Sequence, residues 1–276
     1  MNLEALKKEW VTSFDAATHT IRWDSAAERF SRYPLPSMAQ DTFLRKMKEK
    51  GVLSKENTVL DIGCGAGSFS IAIAPYVKQV VGCDLSSKML EAAEGRSKGE
   101  GVSNVEFYQV DWHAADLSVL GWEQHFDVTF AHMTPAISDF NTFDKMVRCA
   151  KRYCFFQTAL RRYNMLLRGA CEAVGVAVPG STMRDEDAID AFAYLWLNGY
   201  EPEVIYEEGH PWVYTHSVDG ARAMCVEHLC TKKSLTEDDM AKLDTYLSSV
   251  TQDGTVLETV VRTNVIISCD LTRKKE

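Results

Sequence analysis

The chain has 276 residues, 46% of them hydrophobic and 25% charged, which suits one large globular domain or a core with an inserted cap. Its net charge of −9 argues against a nucleic-acid partner, because phosphate binding needs clustered Lys and Arg. Since no apolar stretch approaches the roughly 20 residues that span a bilayer and the N-terminus lacks an apolar signal core, we expect a cytoplasmic protein without a membrane partner.

Residues 1–50 are predicted to be mostly helical. Apolar residues recur at helical spacing over 3–14, and a break is expected near residues 19–23. Further helices are predicted at about 26–30 and 40–50, the last of them stopped by a glycine.

From residue 58 onward, short apolar runs alternate with helical patterns. Strands are predicted at 58–62, 79–84, 105–110, 126–131 and 152–158. Strands that alternate with helical crossovers indicate a doubly wound α/β fold, whose mostly parallel sheet is covered on both faces.

The last third of the chain is less regular. It is predicted to contain a helix at 189–198, a strand at 201–206, helices at 218–229 and 236–249, and a β-rich run at 256–269. We therefore expect three parts: an N-terminal helical lid at 1–50, a ligand-binding core at 51–200, and a sheet-completing part at 201–276. The last part would carry a helical cap insertion at about 212–250.

The eight cysteines form no CxxC pair, which is the usual sign of structural zinc. The nearest approach is Cys225 and Cys230 with His228 between them. We predict no metal site and interpret the cysteines as free thiols in a reducing cytosol.

The strongest motif is the sequence VLDIGCGAG at 59–67, a strand that runs into a glycine-rich turn and a helix. Gly63, Gly65 and Gly67 follow one another at two-residue spacing, which favours a ligand pressed against bare backbone over a plain structural turn. A dinucleotide turn would read GxGxxG, but its third glycine is replaced here by Ser68. Asp61 beside the turn would repel a pyrophosphate and suits a cationic amino group.

This stretch resembles motif I of the class I S-adenosylmethionine-dependent methyltransferases, and the resemblance covers about residues 57–160. It implies a Rossmann-like sheet of seven strands with an antiparallel last strand, S-adenosylmethionine as cofactor and S-adenosylhomocysteine as product. It also implies that residues 51–200 hold the cofactor. Gly63, Cys64, Gly65 and Gly67 would cradle its methionine and ribose portions, and Asp61 would help to hold its amino group.

Asp84 closes the second strand, where a carboxylate can accept hydrogen bonds from both ribose hydroxyls. The alternative is a capping role at the start of the next helix, beside Ser86. The resemblance further implies that Leu85 and Met89 flank the adenine.

Asp111 and Trp112 follow the third strand. In similar enzymes the acid accepts a hydrogen bond from the adenine amine and the next side chain packs near the ring. The alternative for Trp112 is an ordinary core position.

The sequence AHMTPAI at 131–137 follows the fourth strand, where the family brings the methyl donor against its acceptor. It is not the Asn-Pro-Pro-Tyr type of motif associated with methylation of planar amide or ring-amine nitrogens. His132 is a candidate for lining the cofactor site or for general base catalysis, since a histidine imidazole has an intrinsic pKa near neutral pH; the alternative is a half-exposed His at a strand end. Met133 is a candidate substrate contact.

Five further residues are candidates for contacting the substrate or closing over it. The segment WDSAAERFSRY at 23–33 resembles a lid that precedes motif I, and it offers Trp23 and Tyr33. The segment HPWVYTH offers His210, Trp212 and His216 from the predicted cap. Ordinary packing is the alternative for each.

The sequence therefore predicts a methyltransferase that passes a methyl group to a small-molecule acceptor by in-line displacement. Such a transfer gains mostly from positioning, so the lack of an evident catalytic dyad is expected. Two alternatives remain open: a protein or nucleic-acid acceptor, or an oxidoreductase with a nucleotide cofactor.

Overall fold

The structure is a computed structural model that describes residues 2–178 and 186–275, without the side chains of 208–210. The strands are β1 Thr58–Ile62, β2 Gln79–Asp84, β3 Val105–Gln109, β4 Phe126–His132, β5 Ala150–Asn164, β6 Glu203–Ser217, β7 Thr251–Gln252 and β8 Thr255–Asp270. The helices are α1 Leu3–Glu9, α2 Ala16–Ser31, α3 Thr42–Glu49, α4 Ser68–Ile73, α5 Ser87–Gly99, α6 Leu117–Leu120, α7 Phe140–Cys149, α8 Met165–Val174, α9 Glu186–Leu197, α10 Val218–Cys230 and α11 Glu237–Val250. A short 3-10 helix, Ala74–Tyr76, follows α4. Among the described helices, none is long and apolar enough to cross a membrane.

The strands form one sheet in the order β3-β2-β1-β4-β5-β8-β6, with β7 paired to β8. β1 pairs in parallel with β2 and β4, β2 with β3, and β4 with β5. The predicted doubly wound α/β fold with a mostly parallel sheet is confirmed. The strand order reverses between β1 and β4, and ligands of such sheets bind outside the carboxyl ends of the strands at that point.

The central strands are buried because helices cover both faces of the sheet. In β1 and β2 every residue is buried except Thr58, Gln79 and Asp84, which explains the short continuous apolar runs of the sequence. The helices α3 and α4 contribute to one face, where Phe43, Met47 and Ile73 pack against Phe130 of β4 and Phe155 of β5.

The sheet has one strand more than the seven predicted. The additional strand, β7, forms an antiparallel hairpin with β8. Asp253 and Gly254 connect the two strands with φ of 47° and 73°, as a type I′ hairpin turn requires.

The predicted break near residues 19–23 is wrong, since α2 runs through it from residue 16 to 31. The chain breaks instead at residues 10–15. Asp15 starts α2 because its side chain accepts a hydrogen bond from Ala17 N, and Trp10 ends α1 with its ring fully buried.

The chain divides into two compact units. Unit 1 comprises residues 1–158, 186–205 and 266–276, and unit 2 comprises residues 159–185 and 206–265. This division places 1–50 together with the core and assigns α8 to the unit that holds α10 and α11. The predicted three-part organisation therefore stays a prediction.

Unit 2 has an apolar core of its own. The helices α8, α10 and α11 pack around buried residues that include Cys171, Cys225, Leu229 and Leu247. The helices α10 and α11 lie between β6 and β8 along the chain, as the sequence predicts, whereas α8 was not predicted.

Candidate functional site

The glycine turn connects β1 to α4 in unit 1. Gly63, Gly65 and Gly67 have φ of 68°, 53° and 74°, a region that other residues adopt only with strain. A side chain at Gly63 would also collide with Thr134, and one at Gly67 would come within 2.9 Å of Ala93. At Gly65, by contrast, the nearest atom to such a side chain is 4.0 Å away. The middle of the turn therefore presents backbone to open space.

Asp84, at the end of β2, holds this turn. One carboxylate oxygen accepts a 2.9 Å hydrogen bond from Gly65 N, and the other accepts a 2.9 Å bond from Ser86 N. Burial raises the pKa of Asp84, although the bonds from Ser86 and Gly65 oppose that rise. Each oxygen keeps a further lone pair, so a ligand in the turn can still donate to both.

Asp61, at the end of β1, is almost fully buried. Its carboxylate accepts a 2.5 Å hydrogen bond from the Ser70 hydroxyl of α4. Burial raises the pKa of Asp61 to about 7, with the Ser70 bond acting against the rise and the charge of Asp84 adding to it. The structure thus places this carboxylate against α4, beneath the turn.

The helix α2 packs against the glycine turn. Ala27 and Met89 are buried with Ala66 of the turn, and Trp23 packs against the same cluster. Asp24 accepts a 2.5 Å hydrogen bond from the hydroxyl of Ser86, two residues after Asp84. Asp24 was not predicted as a site residue, although it lies inside the WDSAAERF segment that was.

Arg96 of α5 connects the turn to the backbone of Tyr33, and no sequence signal indicated it. Its guanidinium donates 2.8 Å hydrogen bonds to Ala66 O, Ser68 Oγ and Tyr33 O. Burial lowers the pKa of Arg96. Tyr33 is therefore held by its backbone, while its side chain is exposed.

Two other predicted cofactor contacts of this region are partly buried. Leu85 follows Asp84, and its carbonyl accepts a 3.1 Å hydrogen bond from Gln109 Nε2. Cys64 lies within the turn, and burial raises the pKa of its thiol well above the ordinary value.

The predicted adenine pair, Asp111 and Trp112, faces in two directions. The Asp111 carboxylate accepts hydrogen bonds of 3.0 and 3.4 Å from the backbone N–H groups of His113 and Ala114. Trp112 is buried, and its ring N–H donates a 3.0 Å hydrogen bond to Thr142 O of α7. This contact matches the core alternative for Trp112.

His132 ends β4 and packs against two aromatic rings. Its ring centre is 3.8 Å from that of Phe69 in α4 and 5.1 Å from that of Phe43 in α3. Met133 follows with φ of 52°, an uncommon value for a residue with a side chain, and its N–H donates to Gln157 O. Thr134 then packs against Gly63, which brings this loop to the glycine turn.

The predicted cap residues belong to unit 2. Trp212 has the guanidinium of Arg262 at 4.2 Å from its ring centre. His216 lies 2.7 Å from Glu258 through its Nε2, and Glu258 also accepts a 2.6 Å hydrogen bond from Asn164. The side chain of His210 lies outside the described residues.

The part of unit 1 around the turn thus combines bare backbone with two desolvated carboxyl groups, Asp61 and Asp84. These acceptors fit a ligand that carries hydroxyl groups and a cationic amino group. The hydroxyls can donate hydrogen bonds to a buried carboxylate, and the amino group can compensate its charge. It does not fit a pyrophosphate, which these charges would repel.

Comparison with known proteins agrees with this geometry. Residues 53–172 match the family described as a methyltransferase domain. A stretch of 54 residues is 44% identical to an uncharacterized methyltransferase, YcgJ, of Bacillus subtilis, and it covers 20% of this chain and 21% of that protein. A stretch of 60 residues is 42% identical to the 23S rRNA (uracil(1939)-C(5))-methyltransferase RlmD of Colwellia psychrerythraea, and it covers 22% of this chain and 13% of that protein.

The chain thus spans far less than two thirds of these relatives. Among solved structures, magnesium protoporphyrin IX methyltransferase from Synechocystis, with S-adenosylhomocysteine bound, superimposes with a TM-score of 0.50 at 13% identity. The superposition covers 92% of this chain and 99% of that one. At this identity the likeness shows the fold alone.

Proposed function

We propose that this chain is a class I S-adenosylmethionine-dependent methyltransferase that methylates a small molecule, as the sequence predicts; its residues 53–172 match the methyltransferase domain family. The observation that carries the proposal is the glycine turn bonded to Asp84 through Gly65 N. This bond joins the two sequence features that would hold the amino-acid and ribose parts of the cofactor. Fold alone would not carry the proposal, because one fold supports many chemistries.

We assign the cofactor contacts from the donors and acceptors of unit 1. The turn at residues 63–67 would hold the methionine and ribose portions, and the two oxygens of Asp84 would accept the ribose hydroxyls. Asp111 would accept from the adenine amine. Because the carboxylate of Asp61 lies against Ser70, we expect its effect on the cationic amino group to be electrostatic and indirect.

The chemistry requires little from the side chains. S-adenosylmethionine supplies a methyl group on a sulfonium, which a nucleophile can displace directly. The protein contributes by orienting the reactants and excluding water, which is worth on the order of 7–11 kcal/mol at the favourable limit. His132 and Met133 would line the acceptor side, because they lie at the carboxyl end of β4, at the reversal of strand order, and the next residue, Thr134, contacts the glycine turn.

The small-molecule acceptor is favoured by the charge of the chain. A net charge of −9 disfavours binding to the phosphate backbone of RNA, which is the substrate in the name of the Colwellia relative. The likeness to that relative extends over only 60 residues. The competing candidates are a macromolecular acceptor and a nucleotide-dependent oxidoreductase.

Calorimetric titration with S-adenosylmethionine, S-adenosylhomocysteine and NAD tests the cofactor. We expect the first two to bind and Asp84→Asn to weaken both by about ten- to a hundredfold, since charged hydrogen bonds to the ribose are lost. Asp238→Asn, an exposed change of the same charge, is the control and should bind as the wild type does. Binding of NAD alone, or of none, would refute the proposal.

The acceptor is tested with tritiated S-adenosylmethionine offered together with three purified fractions from one cell extract: small metabolites, total RNA and protein. We expect label only in the metabolite fraction. Label in RNA or protein would replace the small-molecule acceptor by a macromolecular one, while leaving the methyltransferase assignment intact.

A further inference from the structure

Lys145 of α7 is a charged side chain that is almost completely buried within unit 1. Its ammonium group donates three hydrogen bonds, to Trp112 O, to His113 O at 2.9 Å and to Ala115 O at 3.3 Å. All three of its N–H donors are thus used by the loop that follows β3. Burial lowers the pKa of Lys145, and the charges of Asp139 and Asp111 oppose that shift.

The same loop contains Asp111, which we have assigned to the adenine amine. The N–H groups of His113 and Ala114 donate to one oxygen of Asp111, Oδ1. These N–H groups belong to the same two peptide units whose carbonyls, Trp112 O and His113 O, accept from Lys145. Because a peptide unit is planar and rigid, a cation that fixes its carbonyl also fixes the direction of its N–H.

Two peptide dipoles therefore lie between a buried cation and a carboxylate. Their carbonyl ends face the ammonium and their N–H ends face Asp111, which is the favourable orientation at both ends. The hydrogen bonds occupy Oδ1 of Asp111, so the orientation of the whole carboxylate, including Oδ2, follows from the position of the loop.

A second contact fixes the same loop to α7. Trp112 donates from its ring to Thr142 O, in the first turn of α7, at 3.0 Å. The ammonium of Lys145 also lies 5.8 Å from the centre of the Trp112 ring. The side chain of Trp112 thus anchors the loop, and the backbone carbonyl of Trp112 accepts a hydrogen bond from Lys145.

We propose that Lys145 is a positioning residue for recognition of the adenine amine, acting through the peptide units of residues 112–114 on Asp111. This inference rests on the proposed function, since it needs the cofactor adenine beside Asp111. It assigns to α7 a role in selecting adenine over other purines. This role does not require Lys145 itself to contact the cofactor.

The test compares the affinities of S-adenosylhomocysteine and its hypoxanthine analogue, S-inosylhomocysteine, by calorimetry. A hypoxanthine presents a carbonyl where adenine has an amine, so a correctly placed Asp111 rejects it. We expect Lys145→Met to reduce the preference for the adenine ligand by at least about tenfold. Lys145→Gln removes the charge but keeps two N–H donors, and it should reduce the preference less. Lys151→Met, which changes an exposed lysine, should leave the preference unchanged.

A double-mutant cycle separates positioning from general destabilisation. If Lys145 acts through Asp111, Lys145→Met should change the preference little in an Asp111→Ala background. An equal loss of affinity for both ligands, with an unchanged preference in Lys145→Met and Lys145→Gln, would overturn the inference and leave the proposed function standing. Failure of the wild type to bind S-adenosylhomocysteine would instead refute the proposed function, and the inference with it.

Discussion

Replacing Asp61 by Asn is expected to change the stability of this chain in a pH-dependent way. The pKa of Asp61 is raised from an ordinary 3.8 to about 7, chiefly by burial. Between these values the folded chain keeps a proton that the unfolded chain has released. Rising pH therefore favours unfolding, so the stability associated with this carboxyl is fully present below 3.8 and is lost as the pH rises toward 7.

The magnitude follows from the two pKa values. Compared with a carboxyl that stayed protonated in both states, Asp61 lowers the unfolding free energy by about 2 kcal/mol at pH 5.5 and by about 4 kcal/mol at pH 8. An Asn side chain can still accept the 2.5 Å bond from Ser70, but it leaves an amide donor unsatisfied at a cost of about 1–3 kcal/mol. That cost does not depend on pH, so the variant should gain about 2 kcal/mol on the wild type between pH 5.5 and pH 8.

Urea denaturation at both pH values measures this difference. The exposed replacement Asp238→Asn controls for the change in net charge and should show no such pH dependence. If Asp61→Asn destabilises the chain equally at pH 5.5 and pH 8, the carboxyl is not held in its protonated form and the reasoning is refuted.

Three further predictions concern the same site. Gly65→Ala and Gly101→Ala both place a side chain at positive φ in open space, so each should cost about 1 kcal/mol of stability, but only Gly65→Ala should abolish cofactor binding in calorimetry. Arg96→Lys should lose about 1–3 kcal/mol of unfolding free energy in urea denaturation and should bind the cofactor more weakly, because an ammonium cannot reproduce the planar fork that spans three acceptors. A variant with unchanged stability and binding would show that the fork is dispensable. The affinity for S-adenosylmethionine should rise between pH 6 and pH 7 and then level off, because a bound cation favours the ionised form of Asp61, which loses its proton on binding. Calorimetry in two buffers with different ionisation heats detects that proton, and binding that releases none would contradict the prediction.

The sequence predicted the central sheet well because buried parallel strands read as short apolar runs. β1, β2 and β4 were located within a residue or two for this reason. The break in the N-terminal helices was placed wrongly, because the decisive signal was the cap at Asp15 and not the apolar spacing. The helix α8 was missed, and its apolar face is covered by residues that lie far along the chain, mostly in α10 and α11.

The same contrast between local sequence signals and tertiary contacts decides which residues of the candidate site were predicted. Asp61, the glycine turn and Asp84 lie within 24 consecutive residues, and the chain direction of a parallel sheet brings them to one edge, so local sequence was sufficient. Arg96, Asp24 and Lys145 act through tertiary hydrogen bonds to backbone or to a serine, and neither their spacing nor their residue type distinguishes them from surface charges.

The charges around the glycine turn are arranged at the expense of stability. Burial and the charge of Asp84 raise the pKa of Asp61, and burial together with the charge of a third carboxylate, Asp24, raises the pKa of Asp84. A site built only for folding would pair these groups with a cation, as Lys145 is paired with carbonyls 112, 113 and 115. The uncompensated negative potential instead suits a ligand that brings positive charge, and S-adenosylmethionine carries it on both its amino group and its sulfonium. At equal free ligand concentration, S-adenosylmethionine should therefore stabilise the fold by more than S-adenosylhomocysteine does, since the product has lost the sulfonium charge and should bind more weakly.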